Sequence, residues 1–250
     1  VSGGRDSMIL LRSLVSIAGE YPLQLSAVTV DHGLRDGVDA ELDLVKRTCA
    51  RACVPWSCRS VAVSPERTRA VGPEAAAREA RHDALRLCAA TVGAEVIALA
   101  HHLQDQAETV LMRALVGTGT RGLSAMAPRN GDLIRPLLEV DQDVLERFAR
   151  DHGVEWIDDP TNAEERFLRN RVRSRLMPMI HELFGLSGAR HLAALARRAA
   201  GDEGLLVDLA RTHLATLADD QGWVEASRLE PMPPALATRV LHEMIRQVRP

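Results

Sequence analysis

The chain has 250 residues, with 31 lysines and arginines against 34 aspartates and glutamates, and is 46% hydrophobic but only 3% aromatic. That length allows one large domain or two of roughly 100–200 residues, with a core built mainly of Leu, Val and Ala. A net charge of −3 excludes a uniformly basic nucleic-acid protein but permits a local basic face; no apolar run nears the ~20 residues of a membrane helix and no signal-like segment occurs, so the sequence reads as soluble and cytoplasmic.

Ser2-Gly3-Gly4-Arg5-Asp6-Ser7 stands at the mouth of a predicted helix running to Ala18. Paired glycines turn the backbone with no Cβ in the way, and N–H groups at a helix mouth carry partial positive charge, so a phosphate is a natural guest. No Gly-Lys-Ser/Thr ending follows, so no lysine is offered to a γ-phosphate as in a Walker loop. Strands are predicted over 23–30, 56–63 and 95–100, and helices over 38–53 and from Pro73 to Gly93. The alternation predicts an α/β fold, a parallel sheet with helices on both faces that takes ligands at the carboxyl ends of its strands. In such a fold the loop at Ser2 follows a strand, so the sequence reads as a piece of a longer chain. From about Glu164 the strands stop. Helical patterns over 166–183, 187–218 and 233–248 predict a smaller helical domain, 186–250, after an α/β domain, 1–185, joined near Gly185 and Gly188.

Five groups carry candidate chemistry. The opening loop is one. Val30, Asp31 and His32 end the first predicted strand, where a plain turn explains them as well. Glu74, Arg78, Arg81 and His82 share a helix face, and a solvated salt-bridged surface accounts for them equally. His101, Asp105 and Glu108 are spaced by four and three residues, so a helix from Leu103 brings a base and two carboxylates together below a strand end; Gly117 and Gly119 follow in a glycine-rich stretch. Arg166, Arg169, Arg171, Arg173 and Arg175 put five positive charges within ten residues of an acidic chain, a pattern that favours contact with a phosphate backbone.

The motifs "SGGRDS", "VDHGLR", "EAAAREAR", "AHHLQDQAET", "GTGTRGLSAM", "RPLL" and "FLRNRVR", in that order, resemble the tRNA(Ile)-lysidine synthetases, a family of PP-loop ATP pyrophosphatases. The resemblance covers roughly residues 1–180. It implies ATP-dependent ligation of L-lysine to C2 of cytidine 34 in the CAU anticodon of tRNA(Ile), with release of pyrophosphate and AMP. On that resemblance Ser2, Gly3, Gly4, Arg5, Asp6, Ser7, Val30, Asp31, His32, Gly117 and Gly119 bind ATP and pyrophosphate, and Asp6 holds Mg²⁺. Arg81 and His101 lie against the phosphates and the activated base, Asp105 and Glu108 bind the lysine ammonium, and the arginines at 166, 169, 171, 173 and 175 grip tRNA with the helical domain. No membrane partner is implied, and a homodimer is compatible with it. Gln104 and Val116 depart from the family pattern, which often has Asp and Arg there, so roles of those charges do not carry over. The rival readings are a tRNA thiolase of the same fold, although the cysteines at 49, 53, 58 and 88 contain no Cys-x-x-Cys pair, and a nucleotide-binding regulatory domain without turnover.

Overall fold

The computed structural model describes residues 1–31, 39–158, 167–185, 187–219 and 221–248; His32 and Arg166 lie outside these. Helix α1 (Arg5–Ala18) starts from the glycine loop, with Gly4 as an extended N-cap and the Met8 N–H donating to the Gly4 carbonyl at 3.1 Å. Met8, Ile9, Leu10 and Leu11 are all buried. Four consecutive buried residues exceed the single apolar stripe of a surface helix, so α1 is packed on two sides. On one side Met8 and Leu11 join Ala27 of β1 (Ala27–Asp31), Leu44, Val45 and Cys49 of α2 (Asp39–Arg51), and Val54. On the other, Ile9 and Leu10 join Leu137, Leu145 and Ala149. Burying each such aliphatic side chain contributes about 1.5–3 kcal/mol, which fixes the loop that leads into the helix.

Strand β1 pairs in parallel with β2 (Trp56–Ser60), and the Trp56 indole N–H donates to the Thr29 hydroxyl at 2.9 Å. Helix α3 (Pro65–Val71) is capped by Ser64, whose hydroxyl accepts the Arg67 N–H. Helix α4 (Pro73–Val92) ends at Gly93 in the left-handed conformation, φ 67°, a position where glycine is the natural stop. Then come β3 (Ile97–Ala98), α5 (Leu103–Val116), α6 (Thr120–Leu123), β4 (Arg129–Asn130), β5 (Leu133–Ile134) and α7 (Gln142–Asp151). Strand β3 pairs in parallel with β5, as the α/β pattern predicts, but β4 runs antiparallel to β5. The sequence reading has no such hairpin: its strands are two residues long, too short for any alternation, and its turn is only Gly131 (φ 60°) and Asp132. The described strands form one two-stranded and one three-stranded sheet.

Helix α8 (Leu168–Arg171), a π-helical turn at Val172–Leu176 and α9 (Met177–Phe184) follow, then α10 (Ser187–Leu217) and α11 (Pro234–Val248). The chain divides into two compact units, 1–106 with 127–190, and 107–126 with 191–250. The sequence reading draws its boundary at 185 and keeps 107–126 with the first part. In the second unit Ala210 and Leu214 of α10 and Val240 of α11 make the core, and the Arg239 guanidinium bonds the Glu203 carboxylate at 2.5 Å and the Thr120 hydroxyl at 2.7 Å. No described helix is long and apolar enough to cross a membrane.

Candidate active site

The opening loop is held from inside and outside. The Ser7 hydroxyl donates to the Gly4 carbonyl at 2.8 Å and accepts the Ser2 N–H at 3.1 Å, while the Gly4 N–H reaches the Ser2 hydroxyl at 3.4 Å. Gly3 has φ 82°, and a Cβ there would lie 3.0 Å from the Glu41 Cβ, so both backbone and space demand glycine. The Gly3 carbonyl accepts the Ile157 N–H at 3.0 Å. The N-cap of α1 is Gly4, which makes no side-chain cap bond, and N–H groups at such a helix mouth suit an anion.

Asp6, on that turn, is the first of a chain of charges. Its Oδ1 accepts from Arg5 Nε at 3.1 Å, and its Oδ2 lies 3.5 Å from His102 Nε2, which is 3.6 Å from Asp105 Oδ2. Asp105 Oδ2 accepts the His102 backbone N–H at 2.9 Å, and Oδ1 accepts from Arg169 at 3.0 Å and Arg173 at 2.9 Å. These two arginines stand four residues apart, where α8 runs into the wider π turn, so their side chains reach one carboxylate together.

The charges set the protonation of the group. Burial alone would raise the Asp6 pKa, but His102 and Arg5 bring it down to about 2. For Asp105 burial acts in the same upward sense and is outweighed by His102, Arg169 and Arg173, so its carboxyl is held below the usual range. Burial would lower His102, yet the hydrogen bond and charge of Asp6 and the charge of Asp105 raise it. The neighbouring His101 goes the other way. Burial, opposed by Asp105 but reinforced by Arg135, Arg169 and Arg78, brings it down to about 4, and its Nδ1 is buried with no hydrogen-bond partner. His101 is therefore neutral near pH 7.

The structure brings together Asp6, His101, Asp105, Arg169 and Arg173, and its charges link Arg81 to Arg78 and Arg169. Arg81 keeps an exposed surface although its guanidinium is crowded enough that burial and those two arginines lower its pKa. Arg171, Arg173 and Arg175 are all exposed residues, and of the run Arg169 and Arg173 reach the Asp105 carboxylate. Glu108 is 1% exposed, one turn beyond Asp105 on α5; the division between the two units falls within this helix. Val30 and Asp31 sit in β1, and Gly117 (φ 86°) and Gly119, the N-cap of α6, belong to the second unit. Sequence reasoning missed His102, which joins the two carboxylates, as well as Arg135. The histidine doublet and the "RPLL" motif were the available signals, but choosing between adjacent histidines depends on which one follows the strand inward.

Residues 1–180 match the model of the PP-loop domain. This α/β unit, with its glycine loop at a helix mouth and charges at the strand ends, is of the PP-loop class. Curated relatives narrow it. The chain is 36% identical to the tRNA(Ile)-lysidine synthase of Streptomyces coelicolor, over 96% of this chain and 68% of that one. It is 34% identical to that of Polaromonas naphthalenivorans over 98% and 74%, and 40% identical to that of Pseudomonas fluorescens over 92% and 52%. The chain belongs to the tRNA(Ile)-lysidine synthase family. It spans about half the length of the Pseudomonas fluorescens and Ralstonia nicotianae relatives. Among solved structures, the U34-tRNA thiolase NcsA from Methanococcus maripaludis with its [4Fe-4S] cluster has a TM-score of 0.64 at 17% identity, over 79% of this chain and 70% of that one, a likeness of fold.

Proposed function

We propose that the chain carries the ATP-dependent ligation of L-lysine to C2 of cytidine 34 in the CAU anticodon of tRNA(Ile), acting in the cytoplasm. The observation that carries this reading is the continuous set of charges from the phosphate-cradling loop through Asp6, His102 and Asp105 to Arg169 and Arg173. It joins a pyrophosphate site to a group that can hold a base and an amine. ATP supplies the phosphorus that activates the C2 oxygen. The loop of Ser2, Gly3, Gly4 and Ser7 stabilises the departing pyrophosphate, since donors fixed beforehand favour charge that develops during reaction.

Asp6 is ionised down to about pH 2, and among the described residues no three His, Cys, Asp or Glu side chains converge as a metal cage. Asp6 would hold Mg²⁺, a hard cation that takes carboxylate oxygen. Its chemistry there is charge neutralisation on the phosphates. Val30 and Asp31, at the end of β1, border the nucleotide. Neutral His101 and cationic Arg81 face the activated base and phosphates.

The carboxylates of α5 hold the lysine ammonium in this reading, with Asp105 exchanging one of its arginines for it. Attack requires the free amine, so the proton must leave through these acids. Exposed Arg171 and Arg175, with Arg166, serve the tRNA backbone, and Arg169 and Arg173 contribute once released. The test is pyrophosphate release from ATP with the protein and tRNA. Release that depends on a CAU-anticodon tRNA supports the reading, and release that ignores the RNA, or none, refutes it.

A further inference from the structure

Arg135 follows β5 directly and is 6% exposed, although arginine is almost never buried without a partner. One guanidinium nitrogen, Nη1, donates to the Ala127 carbonyl at 2.7 Å. The Nε is buried and has no hydrogen-bond partner. Leaving a buried cationic donor unsatisfied is costly, and the cost is removed when an anion arrives.

The position of Arg135 says where the anion would sit. Strands β3 and β5 are parallel neighbours, with Ala98 opposite Ile134 and the Leu99 N–H donating to the Ile134 carbonyl at 2.9 Å. Arg135 and His101 therefore leave the sheet at the same carboxyl edge, where α/β sheets take ligands. Arg78 and Arg81 of α4 and Arg169 of α8 act on the same small region: Arg135, Arg169 and Arg78 all bear on His101, and Arg78 bears on Arg81 and on Arg135 itself.

We propose that Arg135 is the floor of a phosphate-oxyanion subsite walled by Arg78, Arg81 and Arg169 at the carboxyl ends of β3 and β5. The guanidinium presents its free N–H as part of a fork suited to phosphate geometry, which a lysine cannot reproduce. The subsite deepens the function proposed above and rests on it for the source of the phosphate, either the polyphosphate of ATP or the RNA backbone beside the modified base.

Arg135→Gln, Arg135→Lys and Arg78→Gln variants of the whole protein test this by titration calorimetry with two probes, inorganic pyrophosphate and a short single-stranded RNA. Thermal melting is followed without ligand. A lost charge-assisted bond of about 1.5–3 kcal/mol corresponds to roughly 10- to 100-fold weaker binding. Arg135→Gln should weaken one probe by that factor while its Tm stays within a few degrees, because an uncompensated buried charge has gone. Lysine should recover part of the binding, and Arg78→Gln should weaken the same probe. Loss confined to pyrophosphate assigns the subsite to ATP, and loss confined to RNA assigns it to the backbone. Unchanged affinity for both probes overturns the proposal. So does a loss that follows a large fall in Tm and is absent from Arg78→Gln, which would leave Arg135 as a prop for the Ala127 carbonyl. A wild-type protein that binds a probe through Arg135 but transfers no lysine refutes the proposed function and leaves the subsite standing.

Discussion

Replacing Asp105 by Asn removes the carboxylate to which Arg169, Arg173 and the His102 N–H all bond. The three bonds measure 3.0, 2.9 and 2.9 Å. A bond to a charged group contributes about 1.5–3 kcal/mol net, but the Arg169 and Arg173 side chains are 29% and 44% exposed, so solvent recovers part of their share. An amide still accepts at one oxygen, and the half-exposed arginines are screened by water, so the expected loss is about 1–3 kcal/mol, most of it from the buried carboxylate's own charge-assisted bonds. Urea denaturation of both proteins across pH measures it. The folded Asp105 pKa is depressed, so its contribution is fully present above the unfolded value of ~3.9 and is lost as pH falls through the folded one. The stability gap between wild type and Asp105→Asn should therefore be constant near neutrality and close below about pH 4. A gap under about 0.5 kcal/mol at pH 7, the ordinary range for a surface substitution, would refute the view that Asp105 organises this cluster.

Four further outcomes follow from the same geometry. Nitrogen-15 NMR should find His101 neutral down to about pH 4 and His102 titrating above its ordinary value, with Asp6→Asn lowering His102; a His102 unmoved by that change would sever it from Asp6. The raised His102 pKa contributes stability that is fully present below the unfolded value of ~6.5 and is lost as pH rises through the folded one, so Asp6→Asn should reduce that alkaline loss in melting curves, with Asp105 keeping the remainder. Arg171→Gln with Arg175→Gln should flatten the salt dependence of tRNA binding by at most about two units of log-log slope, since each phosphate contact contributes under one; an unchanged slope returns them to a solvated face. Glu108→Gln should raise the lysine KM by about 10- to 100-fold while pyrophosphate release survives better, and the reverse pattern would move Glu108 to the ATP site.

The local pattern carried far in this chain. Gly93 stops α4 where the sequence places it, and the helix from Leu103 brings Asp105 under a strand end. These features arise from neighbours along the chain, which a sequence displays. The hairpin around Gly131 and the inward turn of Arg169 and Arg173 do not, because a two-residue strand has no period and an arginine run looks alike whichever way it faces. His102 was missed for the same reason: its partner Asp6 is 96 positions away, and only folding makes them adjacent. The burial of Glu108 and Arg135, the groups whose chemistry depends most on exclusion from water, is likewise a property of the packed molecule.

Under the proposed function, this set of charges joins lysine to a tRNA base. Incubating the protein with ATP, isotopically labelled lysine and tRNAs differing at the anticodon tests it most directly, with nucleoside digestion to locate the label. Label is expected in cytidine 34 of tRNA bearing CAU, dependent on ATP and abolished by Asp6→Ala. Pyrophosphate release with no label in RNA, or label independent of the anticodon, would contradict it.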